Sequence, residues 1–405
     1  MITLTTYADA RDAFRSRDLR QSLYDAGDRL MHGVIVNLHG DEHLARRRLE
    51  NRLFRRDTFA WYERERIGHI IDAVLREPMA AGHGDLLPLA RRTMMTLSMD
   101  VAGVDLPADG DAFERVYGLM DDLAKASTVA HAVGDTQAII EAGDLALQAF
   151  DREFFEPSLQ RRQSLVEQFS RGETTEADLP RDVLTTLLRN QDRLDLPRAT
   201  VLREVAYFPW VGSHSTSHQL VHAVHHMFEW IANDPTSRAV LEHDDLVRQR
   251  FVHESMRLHP ASPVAMRIAV DDVTLKSGRV LPTGQPITIS VHDANRDPTV
   301  FPGDPDRFDP YRVVEDGVAP WGLSFGHGTH ACLGQELASG LEPDDALDHH
   351  LLGSVALMAG VMLRAGARPD PHDPARLDSS TTRTVWERYP VLLDTDGPAA
   401  AAARR

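Results

Sequence analysis

Sulfur able to cross-link is almost missing from this chain. Of 405 residues one is a cysteine, Cys332, so no internal disulfide can form and a reducing compartment suits the protein. Long apolar runs are missing too: the longest uncharged apolar stretch, Leu351 to Leu363, is too short to span a bilayer and contains Gly353 and Gly360. The first residues carry no basic start and no signal-length apolar run, because Asp9, Arg11 and Asp12 intervene. The expectation is a soluble, cytoplasmic protein with no membrane partner. Positive charge is in deficit, 44 Lys and Arg against 61 Asp and Glu for a net charge of −17, which argues against nucleic-acid binding by the chain as a whole. No linker and no internal repeat divides the sequence, so residues 1–396 read as one domain and the Ala- and Arg-rich tail 397–405 as disordered.

Against these absences, one stretch concentrates chemistry. From Trp321 to Ala338 the lone cysteine follows Gly326 and Gly328, which flank His327 and let a loop turn tightly with its N–H groups exposed. Leu333 and Leu337, with Gln335 and Glu336 between them, read as the start of a helix whose N-terminus would lower the Cys332 pKa. Three uses fit: an inert buried thiol, a nucleophile with His330 as base, or a soft-metal ligand.

The spacing Phe325, Gly326, Gly328, His330, Cys332, Gly334 resembles the haem-ligand loop of the cytochrome P-450 family, in which the cysteine thiolate is the axial ligand of iron. Further matches lie far away in sequence. In Asp41 to Arg56, Leu44, Leu49, Leu53 and Phe54 share one helical side, and the segment resembles the family helix whose His-x-x-x-Arg pair, here His43 and Arg47, binds a haem propionate. His and Arg at i and i+4 share a face and can clasp one carboxylate. Arg46, Arg48, Arg52, Arg55 and Arg56 surround this helix, either as a solvated face or, as the resemblance implies, as the docking surface of an acidic, ferredoxin-type electron donor. Glu254 and Arg257 match the family's Glu-x-x-Arg signature and Arg312 supplies its third member, a structural lock. Arg267, in strand-like sequence starting at Val264, matches a second propionate arginine, as does His330.

The resemblance implies a mainly α fold with a small β region, the cytochrome P-450 fold, apparently lacking the usual N-terminal helix and first strands because the propionate helix begins near residue 43. It implies haem b as cofactor and a small organic molecule as substrate, with Phe208, Trp210, Val211 and Val264 at pocket-lining positions.

One segment departs from the family. From Val201 to Ile231 a long apolar-periodic helix follows Thr200, an N-cap candidate, and Pro209 and Gly212 should kink or open it between Phe208 and Ser215. The family there has an acid followed by an alcohol that relay protons to dioxygen. This chain reads Val211-Gly-Ser-His-Ser-Thr216, so His214 takes the acid position and Ser215 and Thr216 supply hydroxyls. Monooxygenation therefore stands beside peroxide-driven oxidation, haem-catalysed rearrangement or dehydration, and a non-catalytic haem-binding sensor. His214, His218, His222 and His225 also recur at helical spacing and raise zinc as a rival metal. Elsewhere, residues 59–191 read as amphipathic helices broken at Pro78–Gly82, Gly103–Gly110, Pro157 and Gly172–Pro180, helix resumes near Ala346, and 378–393 reads as a final hairpin.

Overall fold

The computed structural model describes residues 2–106, 110–342 and 350–395. The expected resumption of helix near Ala346 and the tail 397–405 lie outside the described residues. Helices dominate, as their apolar periodicity requires, and the sheets are small.

The helix Arg198–Asn233 runs through the core for 36 residues and packs most extensively against the helix Leu86–Ala102, which Asp85 caps by accepting a hydrogen bond from the Leu87 N–H at 3.0 Å. The opening expected between Phe208 and Ser215 is absent. Pro209 cannot donate to the carbonyl four residues back, but the helix continues through it, and the Ser213 hydroxyl donates to the Pro209 carbonyl at 2.6 Å. Gly212 answers to packing instead: a Cβ there would sit 2.6 Å from the Ser98 hydroxyl of the neighbouring helix. Nor is Thr200 the cap. The helix starts three residues earlier, at Arg198, with Pro197 in the cap position. Pro157 likewise breaks nothing, since Thr136–Phe150 passes through one wider π turn, Asp151–Phe155, into Glu156–Ser170.

The N-terminal residues correct a further expectation. Ile2–Leu4 and Leu19–Gln21 are strands and Tyr7–Arg15 is a helix, so the chain start builds both edges of the main sheet, in the order Ile2–Leu4, Pro286–Ser290, Val264–Ala269, Leu19–Gln21. The first pair is parallel, with Leu4 opposite Ile289; the others are antiparallel, with Arg267 opposite both Ile287 and Gln21. A small second core forms where Leu4, Tyr7, Phe14 and Leu19 meet Ile287, Ile289, Phe301 and Leu323. That core holds the loop preceding Cys332 against the sheet. The final hairpin is made by Arg376–Leu377 and Trp386–Arg388, after which Pro390–Leu392 pairs with His83–Asp85 and Arg368–Pro369.

Candidate functional site

Cys332 faces a cavity of about 320 Å3 whose opposite wall is the long helix. The turn that delivers it depends on Gly328, with a φ of 72°, where a Cβ would meet the Phe14 carbonyl at 2.6 Å. The Cys332 N–H donates to the Phe325 carbonyl at 2.9 Å, closing the loop. The following helix is short, Gln335–Ser339, and does not lower the thiol as expected: Cys332 opens onto the cavity, and desolvation by the surrounding walls pushes its pKa above the ordinary value, outweighing the Gly334 N–H and the Arg47 charge. A cation bound at the sulfur is what would hold it as a thiolate.

All eight expected cofactor residues, His43, Arg47, Arg267, Phe325, Gly326, His330, Cys332 and Gly334, line this one cavity. Gly40–Glu50 is the helix that brings His43 and Arg47, and strand Val264–Ala269 brings Arg267. The His43 and His330 rings stack with centroids 3.9 Å apart, and burial, then the neighbouring cations, push their pKa values down to about 4 and about 3. Arg47 donates to the Ala331 carbonyl, beside the cysteine, and Arg267 to the Gln21 amide oxygen. Burial depresses both guanidinium pKa values, Arg267 to about 10.

No Asp or Glu is among the residues that line the cavity, and His43 Nε2 is buried without a partner. The buried Arg267 and half-buried Arg47 guanidiniums and an orphaned imidazole nitrogen therefore lack an anion, in a cavity with one thiol. A group with a soft metal and two carboxylates supplies both, so the residues present fit a haem. A family model described as Cytochrome P450 matches residues 246–340, the segment that runs from the Glu254 helix through Cys332.

Residues 246–340 carry the sequence pattern of the cytochrome P450 family. The chain is 31% identical over 163 residues to Cytochrome P450 4F2 of Homo sapiens, a match that covers 38% of this chain and 29% of that relative's length. It is 25% identical over 348 residues to the Cyclooctat-9-en-7-ol 5-monooxygenase of Streptomyces melanosporofaciens, covering 78% of this chain and 71% of the relative. The fold superposes on that of P450BioI, solved in complex with a fatty-acyl-ligated acyl carrier protein, with a TM-score of 0.75 at 17% identity, covering 97% of this chain and 91% of that one. This is the P450 fold.

Against that P450 frame, the lock is complete. Arg257 makes two hydrogen bonds of 2.7 Å to the buried Glu254 carboxylate, and Arg312 Nε adds a third at 3.3 Å. The opposite wall divides the relay candidates. Ser215 and Thr216 line the cavity, with the Ser215 hydroxyl donating to the Val211 carbonyl at 2.7 Å. His214 does not line it; its Nε2 lies 3.4 Å from Asp121 Oδ1 and it faces a second cavity of about 680 Å3. Asp121 also pairs with Lys125 at 2.7 Å, and although burial opposes ionisation, the His214 and Lys125 hydrogen bonds hold its carboxyl well below the usual range.

Of the expected pocket residues, Phe208 lines the first cavity, Trp210 the second and Val211 both. Val264 lines neither; its neighbour Ala265 faces the first, since successive strand residues point to opposite sides.

Arg46 is corrected outright. Only 2% exposed, it pairs with Glu204 of the long helix at 2.8 Å and lies 3.9 Å from Glu50, while Arg48, Arg52, Arg55 and Arg56 remain exposed. Glu50 and Glu204 escaped sequence reading because their meeting is purely tertiary. The histidine face is not a metal centre: among the described residues no group of three or more His, Cys, Asp or Glu could hold an ion, and His222 and His225 instead bond the Thr384 carbonyl and the Tyr389 hydroxyl. No described helix is long and apolar enough to cross a membrane.

Proposed function

We propose that this protein is a haem b-dependent monooxygenase that oxidises a small organic molecule, using dioxygen and electrons from a ferredoxin-type partner. The observation that carries the reading is the single thiol facing a carboxylate-free cavity edged by buried cationic and imidazole groups. Cys332 would ligate the iron, while Arg47, Arg267, His43 and His330 would take the two propionates. When bound, the haem supplies oxidation of an unactivated C–H bond with dioxygen.

The chain's own residues prepare that chemistry. Phe208 and Val211 supply the apolar part of the long-helix wall, beside the hydroxyls of Ser215 and Thr216. Ser215 donates its hydroxyl proton to the Val211 carbonyl and keeps its oxygen lone pairs for a hydrogen bond from water; Thr216 brings a second hydroxyl to the cavity wall. Exposed Arg48, Arg52, Arg55 and Arg56 form the donor's docking face, on the cysteine side of the molecule, where Arg56 Nε lies 3.6 Å from Glu336, one turn beyond Cys332.

One observation favours a second reading, peroxide-driven oxidation or redox-neutral rearrangement or dehydration. The long-helix residues lining the first cavity include no acid, and His214 is turned toward Asp121. In the reduced protein the CO complex should show the far-red-shifted Soret band of thiolate ligation, and Cys332→Ala should remove it; a band that survives the substitution sinks the assignment. Turnover that needs hydrogen peroxide alone, with no gain from a reductase and ferredoxin, selects the second reading.

A further inference from the structure

The second cavity, about 680 Å3, borders the first through Tyr24, Val211, Ser215, Gln219, Ala261 and Ser262, which line both. Its volume is that of a site for one drug-sized molecule. Its wall carries an excess of unfinished hydrogen bonds: Arg91 Nε, His131 Nε2, His218 Nδ1, Gln219 Oε1 and Arg383 Nε are buried polar atoms with no partner among the described residues, and all five residues line this cavity. Buried polar groups are seldom left bare, and a cluster of them on one concave surface points to a ligand.

The charges say which kind. Arg383 forms no ion pair among the described residues, and Tyr24 is the sole group that offsets the burial of its guanidinium. Arg91 donates to the Tyr117 hydroxyl and keeps its Nε free. The two carboxylates on the wall are already engaged. Asp121 takes Lys125 and His214, and Asp378 accepts from the Ser380 N–H at 2.7 Å and the Ser380 hydroxyl at 2.6 Å. Arg296 is paired with Asp306 at 2.8 Å. Two guanidiniums with spare donors, beside imidazoles and two carboxylates that would repel a dianion, suit a monoanion with planar geometry. Trp210, Val211 and Val385 supply apolar surface for the rest of the molecule.

We propose that the substrate is a small molecule bearing a carboxylate, held by Arg383 and Arg91 in the second cavity so that its apolar body reaches the Ser215 and Val211 wall of the first. The inference rests on the haem-thiolate reading for its chemistry but not for its binding. The holoprotein, with haem content and reduced CO spectrum recorded first, is titrated by calorimetry with dodecanoate, naphthylacetate and cholate, each paired with its methyl ester. At least one acid should bind about tenfold or more tighter than its ester, as expected when charged donors meet a carboxylate. Arg383→Gln should erase that preference while ester binding and haem content stay unchanged, and Arg91→Gln should reduce it independently. Equal binding of acid and ester in every pair overturns the inference, as does a variant that loses both ligands in proportion. A wild-type CO spectrum without the thiolate band, with the acid preference intact, removes the haem-thiolate reading and leaves the carboxylate site standing.

Discussion

Two clusters of buried glutamate and arginine support the cavity from different sides, and they are built in inverse proportion. At Glu254 one acid serves two guanidiniums, and the surplus N–H groups are absorbed by carbonyls: Arg257 donates to Asn295 and Pro305, Arg312 to Asp304 and Arg307. At Arg46 two acids, Glu50 and Glu204, share one guanidinium, Glu204 alone also accepts the Ile35 N–H, and three of their four oxygens accept no hydrogen bond among the described residues. A guanidinium can spend extra donors on the backbone and stay charged. A surplus carboxylate, with no spare N–H nearby, must take up a proton instead. Burial accordingly raises Glu204 to about 7 and lifts Glu50 well above the usual range, with the neighbouring acid adding to the effect on Glu50. The first cluster is a fixed brace and the second titrates.

The largest expected effect breaks the brace. Glu254→Ala leaves two arginines buried without an anion and should cost about 3–5 kcal/mol in chemical denaturation; a loss within experimental error would mean that the carbonyls alone satisfy them. Arg46→Met should cost less, about 2 kcal/mol near neutral pH, because the orphaned acids can protonate, and the cost should grow as pH rises.

Glu50→Gln sharpens the contrast through pH. In the unfolded chain both acids ionise near 4.5, whereas folded Glu204 keeps its proton to about 7. Between those values the folded state binds more protons, so this cluster's stabilisation is full below 4.5 and lost as pH climbs through 7. The buried histidines slope the other way. His222, His226 and His259 are pushed by burial to about 4, about 3 and about 2, so their contribution is complete above 6.5 and falls as pH drops below it. Thermal melts across pH should show stability falling on both sides of an optimum, and Glu50→Gln should flatten only the alkaline side, leaving stability there unchanged or about 1 kcal/mol higher. An unaltered alkaline limb would show that Glu50 is not the titrating surplus.

The smallest effect is expected away from both clusters. Gly212→Ala should cost about 1 kcal/mol through its contact with Ser98. Adding Ser98→Ala should recover most of it, which a double-variant cycle would measure.

The same contrast explains what could be read from the chain alone. Glu254 and Arg257 are one helical turn apart, His43 and Arg47 likewise, and Cys332 sits in a glycine pattern of fixed spacing; local geometry makes such groups visible. Arg46 reads as one of an exposed arginine face because its partner Glu204 comes from a helix that sequence spacing cannot bring near. Three-residue strands such as Ile2–Leu4 show no period to detect. Pro209 and Gly212 signalled a break because propensity cannot see the Ser98 contact or the Ser213 hydroxyl bond that accommodate them. Arg383 left no signal at all, being one arginine between threonines.

The long helix has a mechanical consequence. At 1.5 Å per residue its 36 residues form a rod about 54 Å long. Glu204 stands near one end, Ser215 at the middle and the histidines from His222 to His226 toward the other. An unbroken rod has one axis, so it behaves as a lever: a tilt imposed by repacking at either end swings Ser215 across the face of the cavity. Substitutions far from Cys332 can in this way reshape the cavity without touching a single lining residue.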